Sequence, residues 1–333
     1  MLPIRKERMI MIKKITAAML SAAMIMSLAS CSDTGSGKND GKVSIVCTIF
    51  PEYDWVKNIT KGVDDVDITY LLENGADLHS YQPSAEDMLK IADCDLFIYA
   101  GGESDSWVDD ALENKQNDDM KVINMLDTIG DKAKEEEVKE GMQAEEEEEG
   151  DGKEYDEHIW LSVPNAQIIC KEIANDLYEI DKDNKEAYEK NLDSYLTELD
   201  ALDEEIMNIT ASLKSKTLIF GDRFPFRYFT DEYGLDYYAA FVGCSAETEA
   251  SFQTIAFLAN KADELQAPVI FTIEKSDGKI AQAIIDSTKS KSAKIMQLDS
   301  LQSVTKEQLD DGATYISIMK DNSDVLIKAI GLK

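Results

Sequence analysis

The sequence predicts an α/β protein with two lobes, each a mostly parallel sheet flanked by helices, joined by a long rigid helix. Two observations predict this fold class. Short apolar, β-branched segments alternate with helical segments in two separate parts of the chain, which is typical of parallel sheets covered on both faces. A long stretch of helical periodicity separates the two parts.

The N-terminus is expected to be a targeting signal. Basic residues precede an apolar run of about 14 residues, which is too short to span a bilayer comfortably and fits a signal peptide. The letters "LASC" then end at Cys31, and a polar stretch follows. Residues 1–30 are therefore predicted to be a lipoprotein signal peptide, with lipid on the Cys31 sulfur and a polar tether over 31–42. An ordinary signal peptide with an incidental cysteine is the alternative.

The N-terminal lobe is predicted over residues 43–163. Its strands are expected at "KVSIVCTIF", "VDITYLL", "DLFIYAG" and "KVINM", and its helices at "EYDWVKNITKG" and "SAEDMLKIADC". Ser84 is followed by Glu86 and Asp87, which is a reasonable start for the second helix.

An acidic segment interrupts this lobe over residues 131–157. It contains 14 acidic residues and four lysines, with almost no apolar residues. Such a composition cannot form a core, so a disordered surface loop is expected. It serves either as a solvated spacer or as a weak collector of cations.

Residues 164–214 are predicted to form the helical linker, in two amphipathic runs over 165–180 and 184–214. The second run is long enough for a rod of roughly 45 Å. The C-terminal lobe is predicted over 215–333, where strands at "KTLIF", "LDYYAAF", "PVIFTIE" and "AKIMQL" alternate with helices.

The charge of the chain excludes one class of function. The whole chain has 34 basic and 66 acidic residues, and residues 1–30 hold five and one of these. The remaining 29 basic and 65 acidic residues give a net charge of −36, which argues against nucleic-acid binding and suits a protein that gathers cations.

The remaining cysteines are widely spaced and form no CxxC pair, so a thiolate zinc site is not expected. Cys47 and Cys94 lie in or beside apolar runs and are interpreted as core residues. The pairing state of these two, of Cys170 and of Cys244 stays open, since an exported protein could carry disulfides.

The candidate site is drawn from residues at predicted strand ends and loops. The chain has only two histidines, and both His79 and His158 fall in turn-rich loops. Asp222 and Glu274 follow or end predicted strands, where ligands of open α/β sheets bind. Two imidazoles and two carboxylates could hold one divalent cation, zinc or manganese. Structural or surface roles are the alternative for each of the four.

From Val43 to the C-terminus the chain resembles the metal-specific substrate-binding lipoproteins of bacterial ABC transporters, the zinc- and manganese-uptake class. The resemblance rests on "IFPEYDWVKNITKG", "NGADLHSYQPSAEDMLKIADCDLFIYAGG", "DEHIWLSVPNA", "DKDNKEAYEKNLDSYLTELDALDEEI" and "YFTDEYGL". It implies that His79 and His158 are the first two ligands of a metal buried between the lobes.

The chain departs from this family's pattern in two places. Arg223 stands where the third ligand is expected, and an arginine cannot bind a cation, so its neighbour Asp222 is predicted to replace it. The loop before His158 is acidic instead of histidine-rich. Glu274 is preferred as the fourth ligand over Asp277, with Glu247 and Glu249 as weaker candidates.

These observations predict capture of a divalent metal, Zn²⁺ first and Mn²⁺ as the alternative, outside the cell. Delivery to an ABC permease follows from the resemblance, and a lipid-anchored monomer on the cell membrane is expected. Affinity is expected to fall below about pH 6, because protons compete for both imidazoles. The alternatives are a metallohydrolase, for which no HExxH or GxSxG motif is present, and an adhesin or organic-anion binder on the same scaffold.

Overall fold

The N-terminal lobe is built on a four-stranded parallel sheet with the strand order β2-β1-β3-β4. The computed structural model describes residues 41–143, 154–245 and 249–333. Cys31 and the predicted signal and tether lie outside the described residues, apart from residues 41 and 42. The lobe comprises β1 (Val43–Cys47), α1 (Phe50–Ile59), β2 (Val66–Tyr70), α2 (Ala85–Asp93), β3 (Leu96–Tyr99), α3 (Val108–Glu113), β4 (Lys121–Asn124) and α4 (Met125–Ile129).

Local sequence signals explain several of these boundaries. The first predicted strand stops at Cys47 because Pro51 sits in the first turn of α1, where its missing N–H costs nothing. Ser84 caps α2, as predicted. The Asp87 carboxylate in turn accepts a hydrogen bond from the Ser84 backbone N–H. The short helices α3 and α4 were not predicted, since they are too short to establish a periodic pattern.

The C-terminal lobe repeats the arrangement with the strand order β6-β5-β7-β8, again parallel. The strand β5 continues beyond the predicted "KTLIF". Its register against β6 shifts between Phe220 and Arg223. The lobe comprises β5 (Thr217–Phe224), α7 (Arg227–Glu232), β6 (Asp236–Val242), α8 (Phe252–Leu265), β7 (Val269–Ile273), α9 (Lys279–Ser287), β8 (Lys294–Leu298), α10 (Lys306–Asp310) and α11 (Tyr315–Ile330).

Two helices connect the lobes, α5 (Val163–Ile180) and α6 (Lys185–Ser212). The 28 residues of α6 give a rod of about 42 Å at 1.5 Å per residue. One face of α6 is buried, and it packs on α5, on α1 of the first lobe and on α11 of the second. The predicted fold of two parallel sheets joined by a long helix is confirmed.

Buried polar contacts also tie the lobes together. The Trp160 indole N–H donates to the Ser300 carbonyl at 2.7 Å, and the Tyr315 hydroxyl donates to the Trp160 carbonyl at 2.7 Å. The Tyr70 hydroxyl donates to the Val304 carbonyl at 2.9 Å. Trp160 is fully buried, so this segment, two residues after His158, is held rigidly between the lobes.

Both ends of the segment over 131–157, which was predicted to be a disordered loop, are ordered in the structure. The backbone N–H of Glu136 donates to the Glu154 carbonyl, and that of Asp156 donates to the Lys134 carbonyl. Gln143 donates through its N–H to the Ala240 carbonyl. Backbone pairing therefore orders both ends of the segment despite its charge, and residues 144–153 lie outside the described residues.

The four cysteines among the described residues are all unpaired: Cys47, Cys94 and Cys170 are buried, and Cys244 is partly exposed. The prediction that Cys47 and Cys94 belong to the core is confirmed. No helix in the described part of the chain combines the length and apolarity needed to cross a bilayer.

Candidate metal centre

The first histidine lies in a one-turn 3-10 helix, Leu78–Ser80, in the loop after β2. The Asp77 carboxylate caps this turn by accepting a hydrogen bond from the His79 backbone N–H at 3.0 Å. The preceding Gly75 has a φ of +66°, and a side chain there would meet the Lys275 ammonium and the Ser303 carbonyl oxygen. The loop is thus pressed against the C-terminal lobe, which fixes where His79 points.

The second histidine lies directly before the short turn that leads into α5. The Asp156 Oδ1 atom accepts the His158 backbone N–H at 2.9 Å and also contacts the ring Nδ1 at 3.0 Å. Asp156 itself is held by the backbone pairing of the acidic segment described above. The acidic segment therefore orients His158.

The two imidazoles meet. Their Nε2 atoms are 3.2 Å apart and the ring centroids are 5.1 Å apart. His158 is fully buried. Because an ionised carboxylate only accepts hydrogen bonds, the Nδ1 of neutral His158 carries the proton and its Nε2 presents a lone pair to His79. Such a pair needs a proton or a cation between the two nitrogens.

The outer nitrogen of His79 is held in a similar way. Its Nδ1 lies 2.7 Å from the Ser104 hydroxyl and 3.6 Å from the Glu157 Oε2. The other oxygen of Glu157 accepts the Ser104 backbone N–H at 2.8 Å, while Oε2 has no hydrogen-bond partner. With both Nδ1 atoms engaged from outside, both Nε2 atoms are free to bind a common ligand, as in zinc sites whose ligands are oriented by outer contacts.

The electrostatics favour a proton on His158 when no metal is bound. Burial, and then the proximity of His158, lowers the pKa of His79 to about 3. Burial acts in the same direction on His158, but the carboxylates of Asp156, Glu157 and Glu136 together outweigh it and raise the pKa of His158 above its usual value. His158 thus holds the proton and a metal has to displace it.

A third metal-binding side chain reaches this pair. The Cys244 sulfur and one ring nitrogen of each histidine lie within 4.8 Å of one another. Cys244 was not a predicted site residue, since a cysteine outside a CxxC pair was interpreted as unsuited to zinc. The sequence offered one signal, which is that "VGCS" directly follows the end of β6, the kind of position where ligands bind.

Two comparisons with known proteins match most of this chain. The profile of the family "ZnuA: Zinc-uptake complex component A periplasmic" matches residues 45–329. The chain is 31% identical over 332 residues to the high-affinity zinc uptake system protein ZnuA of Bacillus subtilis, covering 97% of this chain and all of that protein. This chain belongs to the zinc-uptake complex component A family.

A second relative is similar over most of this chain, both in sequence and in the solved structure of one of its domains. The zinc-binding lipoprotein AdcA of Streptococcus pneumoniae is 30% identical over 318 residues, which cover 94% of this chain and 60% of AdcA. The zinc-bound ZnuA-like domain of S. pneumoniae AdcA superimposes with a TM-score of 0.67 at 26% identity, covering 87% of this chain and all of that domain. The predicted family resemblance is confirmed.

Within this family fold, the two predicted carboxylate ligands lie apart from the histidine cluster. Asp222 and Glu274 line the same cavity as His79, of about 460 Å³, but neither belongs to the described group of ligand atoms within 4.8 Å. Asp222 Oδ1 accepts the Arg223 backbone N–H at 2.9 Å, and its Oδ2 is buried without a partner. Neither carboxylate joins the histidine cluster in this arrangement, and their assignment as metal ligands stays a prediction.

Glu274 is occupied by a neighbouring turn. Its two oxygens accept the Ser300 hydroxyl at 2.6 Å and the Ser300 backbone N–H at 2.8 Å. Burial, and then the nearby Asp299, raises the pKa of Glu274 to about 7. Its rival Asp277 is exposed and pairs with Lys279. Glu274 and Asp277 thus each have a partner within the protein, which their sequence positions alone did not reveal.

Arg223 stands at the position expected for the family's third ligand, and it bridges the lobes. Its guanidinium forms an ion pair with Asp77 from the first histidine loop. A second nitrogen donates to the Ser245 carbonyl at 3.3 Å. Arg223 therefore links the loop that carries His79 to the turn that carries Cys244. Of the weaker candidates, Glu249 is exposed and Glu247 lies outside the described residues.

Proposed function

We propose that this protein captures Zn²⁺ outside the cytoplasm through His79 and His158 and delivers it to an ABC permease. The observation that carries the proposal is the 3.2 Å between the two Nε2 atoms. Zinc–nitrogen bonds of about 2.0–2.1 Å in a tetrahedral arrangement place two ligand nitrogens about 3.3 Å apart. The pair is therefore already spaced for one small cation, and the names of the relatives support zinc as that cation.

The chemistry of the pair favours zinc over manganese. Imidazole suits zinc, whereas manganese prefers carboxylate, carbonyl and water oxygens. Asp222 and Glu274, the oxygen donors expected to join the site, lie outside the cluster. Manganese remains the alternative cargo.

The other functions gain no support from the geometry. An organic-anion binder would use Arg223, but its charge is already paired with Asp77. A metallohydrolase needs an open metal position and a general base beside it. Glu157, whose Oε2 lies 3.6 Å from the His79 ring, contacts the outer Nδ1 and not the Nε2 that faces His158. We therefore propose a carrier and not an enzyme.

The location follows from the family and the N-terminal sequence together. The relatives named as periplasmic or as lipoproteins support a site of action outside the cytoplasm. The predicted signal ending before Cys31 supports a lipid anchor, with the domain working as a monomer beside its permease. Mass spectrometry of the protein isolated from membranes tests this, since a Cys31→Ala variant should lose both the lipid mass and the membrane association.

The metal content of the purified domain tests the proposal. Protein lacking residues 1–31 is stripped of metal, offered equal zinc and manganese, and analysed by elemental mass spectrometry. We expect one equivalent of zinc, lost in His79→Ala and in His158→Ala. The matched controls Asp222→Asn and Glu274→Gln should retain it. Absence of stoichiometric metal, or metal unaffected by either histidine substitution, would refute the proposed function.

A further inference from the structure

A cysteine faces the paired histidines from the second lobe. The two histidines come from loops of the first lobe, whereas Cys244 lies in the turn after β6 of the second. Its sulfur and one ring nitrogen of each histidine lie within 4.8 Å of one another. The three other cysteines that the structure describes are buried in apolar surroundings. Cys244 is thus the one among these four placed to meet a ligand of the histidines.

We propose that the Cys244 sulfur is the third ligand of the bound zinc and the ligand that joins the second lobe to the site. This inference rests on the proposed function, because it assigns a role within the same metal centre. Zinc takes thiolate and imidazole ligands together in tetrahedral sites, with a zinc–sulfur bond of about 2.3 Å. On binding, the S–H bond breaks, the zinc–sulfur bond forms and the proton is released to water.

The distances are close to those that a metal requires. Tetrahedral bonds of about 2.05 Å to nitrogen and about 2.3 Å to sulfur place the sulfur about 3.6 Å from each nitrogen. The group observed here spans up to 4.8 Å. Closing the difference therefore requires a shift of the sulfur of at most about 1.2 Å, which is a small adjustment for the turn after β6.

The turn that carries Cys244 is held against His158 from several sides. A Cβ atom on Gly243 would lie 3.0 Å from the His158 Cε1 and 2.9 Å from the Phe224 carbonyl oxygen, so the backbone here packs directly on the imidazole. The Cys244 N–H donates to the Glu136 carboxylate at 3.1 Å. The next carbonyl, that of Ser245, accepts from Arg223.

These contacts assign Arg223 a positioning role. It occupies the position where the family's third ligand was expected and cannot bind the metal itself. It donates instead to the turn that presents the sulfur, and it pairs with Asp77 beside the first histidine. In this proposal the third ligand comes from the turn after β6, whereas the family's pattern places it at the Arg223 position in β5.

A thiolate would also set the choice of metal. Soft sulfur ligands favour zinc, whereas manganese prefers oxygen. Two neutral imidazoles and one thiolate leave a net charge of +1 on bound zinc, which the surrounding carboxylates of Asp156 and Glu157 can offset. Loss of the sulfur should therefore reduce the preference for zinc over manganese as well as the affinity.

Cobalt provides the test, because Co²⁺ bound to a thiolate shows a charge-transfer absorption band in the near ultraviolet. The metal-stripped protein without residues 1–31 is titrated with Co²⁺, alongside Cys244→Ser and the control Cys170→Ala, which removes a buried core thiol. We expect one equivalent of Co²⁺ in each. The thiolate band should appear in the parent and in Cys170→Ala and be absent from Cys244→Ser. Zinc affinity in Cys244→Ser should fall by at least about 100-fold, because loss of a direct ligand should exceed the roughly 10–100-fold cost of losing an outer-shell partner.

Stoichiometric Co²⁺ binding without a thiolate band would overturn the third ligand and leave the proposed function intact. Failure of every protein to bind metal would overturn both. A second measurement removes dependence on the folding of the serine variant. Zinc should protect Cys244 of the parent protein from alkylation, read out by peptide mass spectrometry, and His158→Ala should lose that protection. Equal alkylation with and without bound zinc would contradict the proposal.

Discussion

Asp156 is expected to control both the affinity of the site and its dependence on pH. Its carboxylate holds the His158 Nδ1 at 3.0 Å in a fully buried position. The change Asp156→Asn keeps the size and one acceptor oxygen but removes the charge. Hydrogen bonds to charged groups contribute about 1.5–3 kcal/mol and neutral ones about 1 kcal/mol.

The loss is therefore about 0.5–2 kcal/mol, and the middle of that range corresponds to about tenfold in zinc affinity near pH 8. Asp156→Ala, which also releases the ring orientation, should cost up to about 100-fold. The pH dependence gives a second signature. Because Asp156 raises the pKa of His158, its removal lowers that pKa and weakens the competing proton. The tenfold deficit should consequently shrink as the pH falls.

Competition between the protein and a chelator of known zinc affinity, from pH 5.5 to 8.5, measures both effects. The exposed Asp131, in the same acidic segment, provides the control variant Asp131→Asn, which should match the parent at every pH. If Asp156→Asn bound zinc as tightly as the parent, with the same pH profile, the proposed orientation of His158 by this carboxylate would be wrong.

Three further predictions follow from the same contacts. Gly243→Ala places a methyl group 3.0 Å from the His158 ring and should weaken zinc binding at least about tenfold without unfolding the protein. Chelator competition would measure the affinity and circular dichroism the folding. Unchanged affinity would contradict the close packing. Trp160→Phe leaves the buried Ser300 carbonyl without its donor and should lower the free energy of unfolding by about 1–3 kcal/mol in urea titrations. The control Trp107→Phe should cost less, because the Trp107 indole N–H has no partner, and equal losses would count against the argument. The zinc affinity of the parent should decline as the pH falls, starting above pH 6.5. The reason is that the pKa of His158 is raised above 6.5 and only the neutral ring binds metal. An onset well below pH 6 would conflict with the raised pKa.

Much of the fold could be predicted because the elements of each lobe have clear local signals. Parallel strands buried on both faces are continuous apolar runs, and Ser84 and Pro51 mark helix starts through their own backbone chemistry. The apolar face of α6 repeats at helical spacing over 28 residues. The ordered ends of the acidic segment could not be predicted, because backbone hydrogen bonds between its two ends leave no trace in composition.

The candidate site could be predicted only in part. His79 and His158 were identifiable because the chain has no other histidine and both lie in turn-rich loops. Asp222 and Glu274 do lie at strand ends beside the cavity, but both Glu274 oxygens accept hydrogen bonds from Ser300, and Asp222 lies outside the histidine cluster. Cys244 was missed because its approach to His158 depends on how the second lobe packs on the first, which sequence spacing does not encode.

The most direct test uses the fact that the whole chain contains two histidines. In protein labelled with ¹⁵N only at histidine, long-range proton–nitrogen NMR spectra report four ring nitrogens, and each tautomer is resolved. We predict that one equivalent of zinc shifts both Nε2 signals together and leaves both Nδ1 atoms protonated. Zinc that binds with neither Nε2 changed, or with only one of them changed, would contradict a metal centre built on the facing pair.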